Sequence, residues 1–397
     1  MSRLARFLPL AAAALLAACS ETVVYVLPEG YQVAGPASGV GPARPGPGAG
    51  PVTSPAAAAP PAADPRIPEN FVQQGMGVLF FKEDYDRDNL TVEIDNLYDR
   101  LQALGVNSVT INWPLYQDSH TATDIRRGDR TPPDEDLRIA FSMAQDRGMW
   151  VAFRPYLEES NFFVEAKIWR GTLEPKDRDL WFKDYTQLLL EYAQIAQQAG
   201  VDLFSIGVEF NSLDGDPRWR DIIKAVRGVY SGKLTYAANF DHVTAVPFWD
   251  ELDIVGIDAF YPLDVDPDGL TVEKAIQAWQ PWVDQLEEIK RRYQKAVVFM
   301  EVGVTSQRDA LRKPWAWDTG SPIDMEVQRI YYEATCRKVK PVIAGMYWWV
   351  APLKPLQDPS RDKGHTPLGK PAEQEIKKCF MGDQEGIGGF RNGGATG

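Results

Sequence analysis

From Gly75 onward the chain alternates between short, almost continuously apolar runs and longer stretches in which apolar residues recur every three or four positions. The short runs fall at Met76–Phe81, Ser108–Trp113, Trp150–Tyr156, Leu203–Glu209, Lys233–Asn239, Ile254–Phe260, Val297–Gly303 and Ala344–Val350. They predict strands buried on both faces. The longer stretches are Val92–Leu104, Asp134–Arg147, Asp177–Ala199, Pro217–Tyr230, Phe248–Leu252, Val272–Tyr293, Met325–Val339 and Gly369–Phe380. They predict helices with one apolar face. In the first, Leu90-Thr91 leads into the stripe Ile94, Leu97, Leu101 and Leu104, and Gly105 stops it; Gly148 and Gly200 end two others. Glycine is the favoured residue just past a helix end. Strands joined by helices form parallel sheets with right-handed crossovers, and eight such units close into a (β/α)8 barrel, a TIM barrel forming a single catalytic α/β domain. No Gly-x-Gly-x-x-Gly turn follows the first strand, which removes the main reason to expect an open dinucleotide-binding sheet.

Composition changes abruptly before the first strand. Arg3 and Arg6 precede an apolar run, Phe7–Ala18, and then Cys19. A charged segment followed by so short an apolar one reads as an export leader, not as a stable membrane span. Leu16-Ala17-Ala18-Cys19 resembles the bacterial lipobox, in which the cysteine is acylated after cleavage. Ser20, where Asp would retain a lipoprotein at the inner membrane, is in keeping with outer-membrane sorting. Residues 35–65 are almost entirely Gly, Pro, Ala and Ser and cannot bury enough surface to offset chain entropy. Such a tether of about 31 residues has an r.m.s. span of about 30 Å as a flexible coil. The expected division is a leader at 1–18, a disordered tether at 19–66, the barrel at 67–380 and a disordered tail at 381–397. The expected location is the cell envelope, with a monomer held to the outer membrane through Cys19 and facing the periplasm or the cell surface.

The 397 residues carry 42 basic and 55 acidic side chains, a net charge of −13. That balance argues against a nucleic-acid partner. Three His and three Cys, widely separated, leave no metal-ligand spacing, so neither a metal nor another cofactor is expected. Cys336 and Cys379 fall in neighbouring predicted helices, and spacing alone leaves open whether they pair. Gly364–Lys370 has the spacing of a phosphate loop, but Pro371 replaces the hydroxyl residue and no strand precedes it. It reads better as a loop entering the last helix, with Pro371 in its first turn. Asp264–Gly269 begins like a calcium loop, but its twelfth position is Ala275, so a solvated acidic loop is expected. His242, just past strand 5, is placed where it could touch substrate, with loop hydrogen bonding the favoured reading.

In barrels of this kind the active site lies at the C-terminal ends of the strands. Here those ends form a polar and aromatic crown: Asn112 and Trp113, Arg154 and Tyr156, Glu209 and Asn211, Asn239, Asp258 and Tyr261, Glu301, and Trp348 and Trp349. Glu209 closes strand 4 and Glu301 closes strand 7, each ending an otherwise buried run, where an ionisable group is costly without a partner or a function. Such a pair across a barrel mouth suits retaining glycoside hydrolysis, which needs carboxyl groups about 5 Å apart. A structural ion pair with Arg154 is the competing reading of either one. Trp113, Trp348, Trp349 and Tyr261 would offer flat faces to sugar rings, and Asn112, Arg154 and Asn239 would bind hydroxyls. Strand alternation lets only one of Trp348 and Trp349 face the mouth. Trp181, Trp219 and Trp279 sit in helical patterns and are expected in the core.

Over about 300 residues the sequence resembles clan A glycoside hydrolases, and most closely glycoside hydrolase family 113. The resemblance is carried by Ser205-Ile206-Gly207-Val208-Glu209, Gly232–Asn239, Phe248-Trp249-Asp250, Asp253–Leu263, Glu301-Val302-Gly303 and Gly369-Lys370-Pro371-Ala372. It implies endo-β-1,4-mannanase-like action on a mannan- or glucomannan-like polysaccharide, without a cofactor. It places the acid/base on Glu209, expected to have a raised pKa, and the nucleophile on Glu301. Val208 precedes the acid/base where many clan A enzymes have Asn. Phe260 stands where Tyr is common, so the hydroxyl beside the nucleophile is expected from Tyr261. Arg154 stands where Lys is expected. The alternatives are an envelope enzyme that trims or transfers exopolysaccharide, and an inactive carbohydrate-binding barrel.

Overall fold

The computed structural model describes residues 72–162 and 168–382. The expected leader, the expected acylation site at Cys19, the expected tether and the expected tail from residue 383 lie outside the described residues. Eight parallel strands close a barrel in chain order: β1 (Gln73–Leu79), β2 (Ser108–Leu115), β3 (Trp150–Leu157), β4 (Leu203–Val208), β5 (Lys233–Asn239), β6 (Ile254–Asp258), β7 (Ala296–Val302) and β8 (Gly345–Ala351), with β8 pairing back onto β1. Among the described residues seven α-helices surround it: α1 (Leu90–Ala103), α2 (Asp134–Gln145), α3 (Arg178–Ala199), α4 (Arg218–Arg227), α5 (Val272–Tyr293), α6 (Met325–Lys338) and α7 (Pro371–Met381). The chain is therefore a single (β/α)8 TIM barrel.

The helix expected at Phe248–Leu252 is only a 3-10 turn, Trp249–Glu251. Asp253, immediately after this short segment, donates its backbone N–H to Leu234 O at 3.0 Å as the chain enters β6, which leaves no room for further helical turns. The other helices match the periodic stretches closely because their ends carry the signals that stop and start helices. Asp177 accepts from the Leu180 N–H at the start of α3, and Gly200, at φ 67°, closes its end in the left-handed conformation. Pro371 is the first residue of α7, and Met381, expected in the tail, is still helical.

Two apolar layers hold the fold. Between strands and helices lies a continuous core that includes Trp113, Trp181, Trp219, Trp279 and Trp348. Inside the barrel a second cluster contains Trp150, Ala152, Tyr156, Leu203, Val208, Ala237, Val298, Met300 and Tyr347. Period-two alternation assigns most strand residues to one layer or the other, with register shifts interrupting it on β4 and β7. On β1 the two central inward positions, Gly75 and Gly77, are glycines because bulky neighbours on β8 fill the space: a Cβ on Gly75 would sit 2.2 Å from the Tyr347 ring.

Cys336 of α6 and Cys379 of α7 form a disulfide, with Cα atoms 5.7 Å apart. It closes a span of 43 residues, worth about 4 kcal/mol in the chain-entropy account of cross-linking. The segment with phosphate-loop spacing is internal structure. Lys370 is buried, with Nζ 2.6 Å from Asp362, 3.0 Å from Ser306 Oγ and 2.8 Å from Gly364 O. His365, also buried, contacts Pro314 O through Nε2 at 2.8 Å and packs edge-on against Phe260 and Trp317.

Candidate active site

The inward-facing ends of β3, β6 and β7 meet in one charged cluster. Arg154 is fully buried; one guanidinium nitrogen lies 2.7 Å from Glu301 Oε1 and another 2.8 Å from Asp258 Oδ2. The first also donates to Met300 O at 3.3 Å. A guanidinium without partners at this depth would be prohibitively desolvated, and a fork of donors shared by two carboxyl groups offsets that cost. Asp258 and Glu301 are register partners on adjacent strands, so they are held side by side. Burial raises the Asp258 carboxyl well above its usual range, with Arg154 opposing and Glu301 adding to the shift.

Glu209 follows directly on β4 and is one of the few non-glycine residues with a positive φ, 54°. Its N–H donates to Ala237 O on β5 at 2.8 Å. Its carboxyl is mostly buried and lies 3.9 Å from a guanidinium nitrogen of Arg170. Burial pushes its pKa up to about 8; Arg170 pulls it down, and the charges of Glu301 and Glu159 add to the rise. At neutral pH Glu209 therefore carries a proton, while Glu301 accepts from an arginine. Two carboxyl groups in such different surroundings are suited to opposite roles in proton transfer and attack.

Arg170 comes from the loop after β3. Glu159 anchors it, accepting at 2.8 Å from both the Arg170 backbone N–H and Nε, and its guanidinium lies 5.4 Å over the Tyr156 ring. Neither Arg170 nor Glu159 was expected from the sequence, because a loop residue carries no strand-end signal. Asp258 did carry that signal, at the end of an apolar strand, but reveals its part only through Arg154.

The other expected residues divide by strand face. Asn112 points inward, and its Nδ2 donates to Val78 O at 3.1 Å and Thr110 O at 3.3 Å, tying β2 to β1. Asn239 is 7% exposed, and its Oδ1 accepts from the Phe240 N–H at 2.9 Å. Trp349 is on the inner face, with Cε3 3.2 Å from where a Gly77 Cβ would stand. Trp113, Trp348 and Tyr261, expected to face sugar, are instead fully buried in the outer layer. Trp113 packs on Phe80, and Trp348 stacks on Tyr332 of α6 with centroids 4.0 Å apart. Alternation is the reason for the two tryptophans: Trp113 follows the inward Asn112 and Trp348 precedes the inward Trp349. Tyr261 packs against Trp279 and Trp282 of α5, so the hydroxyl expected from it beside Glu301 is absent there, and the Arg154 guanidinium takes that place. Trp181, Trp219 and Trp279 are fully buried. Among the described residues no group of three or more His, Cys, Asp or Glu side chains is arranged to hold a metal.

Comparison with known proteins follows the same lines. The family model of glycoside hydrolase family 113 matches residues 82–370. No curated protein matches the chain. Among solved structures, a family 113 β-mannanase from Alicyclobacillus acidocaldarius, in complex with ManMIm, superposes with a TM-score of 0.69 at 23% identity, covering 79% of this chain and 98% of that one. An endo-β-1,4-mannanase from Thermotoga petrophila superposes with a TM-score of 0.52 at 10% identity, covering 79% and 77%. A β-glucuronidase from Ruminococcus gnavus, at 0.54 and 13%, shares the barrel over 78% of this chain and 50% of that one. At these identities the structures share a fold, and the family match goes further: the chain belongs to glycoside hydrolase family 113 and is a glycoside hydrolase acting on O-glycosyl bonds.

Proposed function

We propose that the chain cleaves a β-1,4-linked mannan or glucomannan-like polysaccharide with retention of configuration, Glu209 acting as acid/base and Glu301 as nucleophile. The observation that carries this is the contrast between the two carboxyls: Glu209 raised by burial to about 8, Glu301 2.7 Å from the Arg154 guanidinium. In the first step Glu301 attacks the anomeric carbon as the glycosidic bond breaks, and the Glu209 proton goes to the departing oxygen. Arg154 keeps the attacking carboxylate oriented. In the second step Glu209, now ionised, takes a proton from water. That water attacks the anomeric carbon and releases Glu301. The substrate linkage is read from the family match and from the mannanase folds to which the chain is similar.

The test is a panel of β-1,4-mannan, glucomannan, cellulose and xylan, with product sizing and proton NMR of the first product. The expected result is mannan cleavage into oligosaccharides whose new reducing end appears first as the β-anomer. Initial α-anomer would overturn the double displacement, and cleavage restricted to another glycan would overturn the substrate.

We also propose that the enzyme is a lipid-anchored envelope protein, held through Cys19. The leader pattern Leu16-Ala17-Ala18-Cys19 supports this, and so does the Cys336–Cys379 disulfide, which belongs to an oxidising compartment. Metabolic labelling with palmitate is expected to mark the native chain and not Cys19→Ala; equal labelling of both would rule the site out.

A further inference from the structure

We infer that Tyr236 and Asp214 are positioning residues that lock the backbone beyond β4 in the conformation that brings Glu209 to the mouth. The inference rests on the reading of Glu209 as acid/base. At φ 54° this glutamate occupies a region that side chains other than glycine enter only when surrounding structure over-determines it. The constraint falls on both sides of the residue. On the N-terminal side its own N–H is held by Ala237 O of β5 at 2.8 Å. On the C-terminal side the buried N–H of Phe210 donates to the Tyr236 hydroxyl at 2.7 Å, and that hydroxyl donates in turn to Asp214 Oδ1.

The hydroxyl can do this because the rest of Tyr236 cannot move. It stands on the outward face of β5, with Trp219, Phe248 and Trp249 around its ring. Gly207 of β4 lies against it, since a Cβ there would come within 2.7 Å of the ring. Asp214 closes the loop on itself: it belongs to the same turn as Phe210, whose carbonyl accepts from the Leu213 N–H at 2.8 Å. Ser212 extends the lock to the other side of the site. Its N–H donates to Gly171 O at 3.0 Å and its hydroxyl to Leu173 O at 2.7 Å, fixing the loop that carries Arg170.

Without the Tyr236 hydroxyl the Phe210 N–H is a buried donor with no acceptor, and the turn can recover it only by moving, which frees φ at Glu209. The carboxyl would then swing off the line to the departing oxygen, and geometry at this point governs rate more than binding. Proton donation matters for an alkoxide leaving group and hardly at all for a dinitrophenolate. A mispositioned acid therefore leaves a signature that general destabilisation does not.

The experiment compares kcat/KM of the full chain on mannohexaose and on 2,4-dinitrophenyl β-mannobioside, with circular dichroism as the check on folding. Tyr236→Phe is expected to lose about 30-fold on mannohexaose and less than about threefold on the dinitrophenyl substrate. Asp214→Leu should show the same split at about tenfold, and Asp214→Asn, which keeps an acceptor for the tyrosine, should recover to within about threefold of the native chain. Should Tyr236→Phe fail to fold, Asp214→Leu decides. Equal losses on the two substrates, or no loss in a folded variant, overturn the lock. Glu209→Ala is the control: if it shows no split between the substrates, the acid/base reading fails instead.

Discussion

Replacing Glu301 by glutamine is expected to lower kcat on the polysaccharide by about 10,000-fold or more, equivalent to about 5 kcal/mol of transition-state stabilisation. Glutamine keeps the shape and a carbonyl acceptor for Arg154 but offers no anionic oxygen to attack the anomeric carbon. The loss should fall on kcat with little change in KM, because sugar binding does not depend on that charge. The fold should survive, since Arg154 keeps its buried contact with Asp258 Oδ2, 2.8 Å away. Rate assays at saturating substrate, paired with thermal melts, check both parts. Azide added to Glu301→Ala should restore turnover of an activated aryl glycoside and give the α-glycosyl azide, a product opposite in configuration to the native one. Activity within tenfold of the native chain would remove Glu301 from the nucleophile's role.

The second large effect concerns Glu209. Glu209→Gln is expected to reduce kcat/KM on the polysaccharide by about 100- to 10,000-fold, the usual range for a general acid. The pH dependence separates this from a loss of structure. With the carboxyl pushed up to about 8, the acid form persists below that value, so native kcat/KM should fall as pH rises through about 8. The glutamine variant should lack that limb. Stability should also fall with rising pH, but over a lower window. The unfolded carboxyl gives up its proton near 4.5, while the folded one keeps it to about 8. Between those values the folded state binds more protons, so native stability declines as pH rises. Glutamine has no proton to lose, so the variant's Tm should exceed the native one by a margin that grows from pH 4.5 to 8. A constant difference across that window would remove the raised pKa.

The fold and the members of the site were legible in the sequence to different depths. The barrel could be read because its strands are apolar on both faces and its helices on one, and the two periods alternate from Gly75 to Phe380 apart from the short connection between β5 and β6. The carboxyl pair could be read because polar strand ends in an apolar barrel point to a functional rim. The aromatic residues were read less well. Trp113 and Trp348 adjoin inward-facing residues, and strict alternation sends them to the helix layer, where a bulky apolar ring is equally at home. Arg170 and Glu159 could not be read at all. Their position depends on how the loop after β3 folds back, held in part by Ser212 on a different loop. The left-handed turn at Glu209 was equally hidden, since its cause lies 27 residues downstream at Tyr236.

The parallel barrel also separates the site from the end at which the chain enters it. Every strand begins at one end of the barrel and finishes at the other, and all the site carboxyls are at the finishing end. Gln73, where β1 enters, is at the starting end. Met381, where α7 stops, packs against Gly105 in the approach to β2 and so lies at that end as well. A strand of seven residues puts about 20 Å between that floor and the rim. The point where the chain enters the barrel and the catalytic rim thus lie at opposite ends, so a long polymer lying across the rim does not meet the segment that leads into β1.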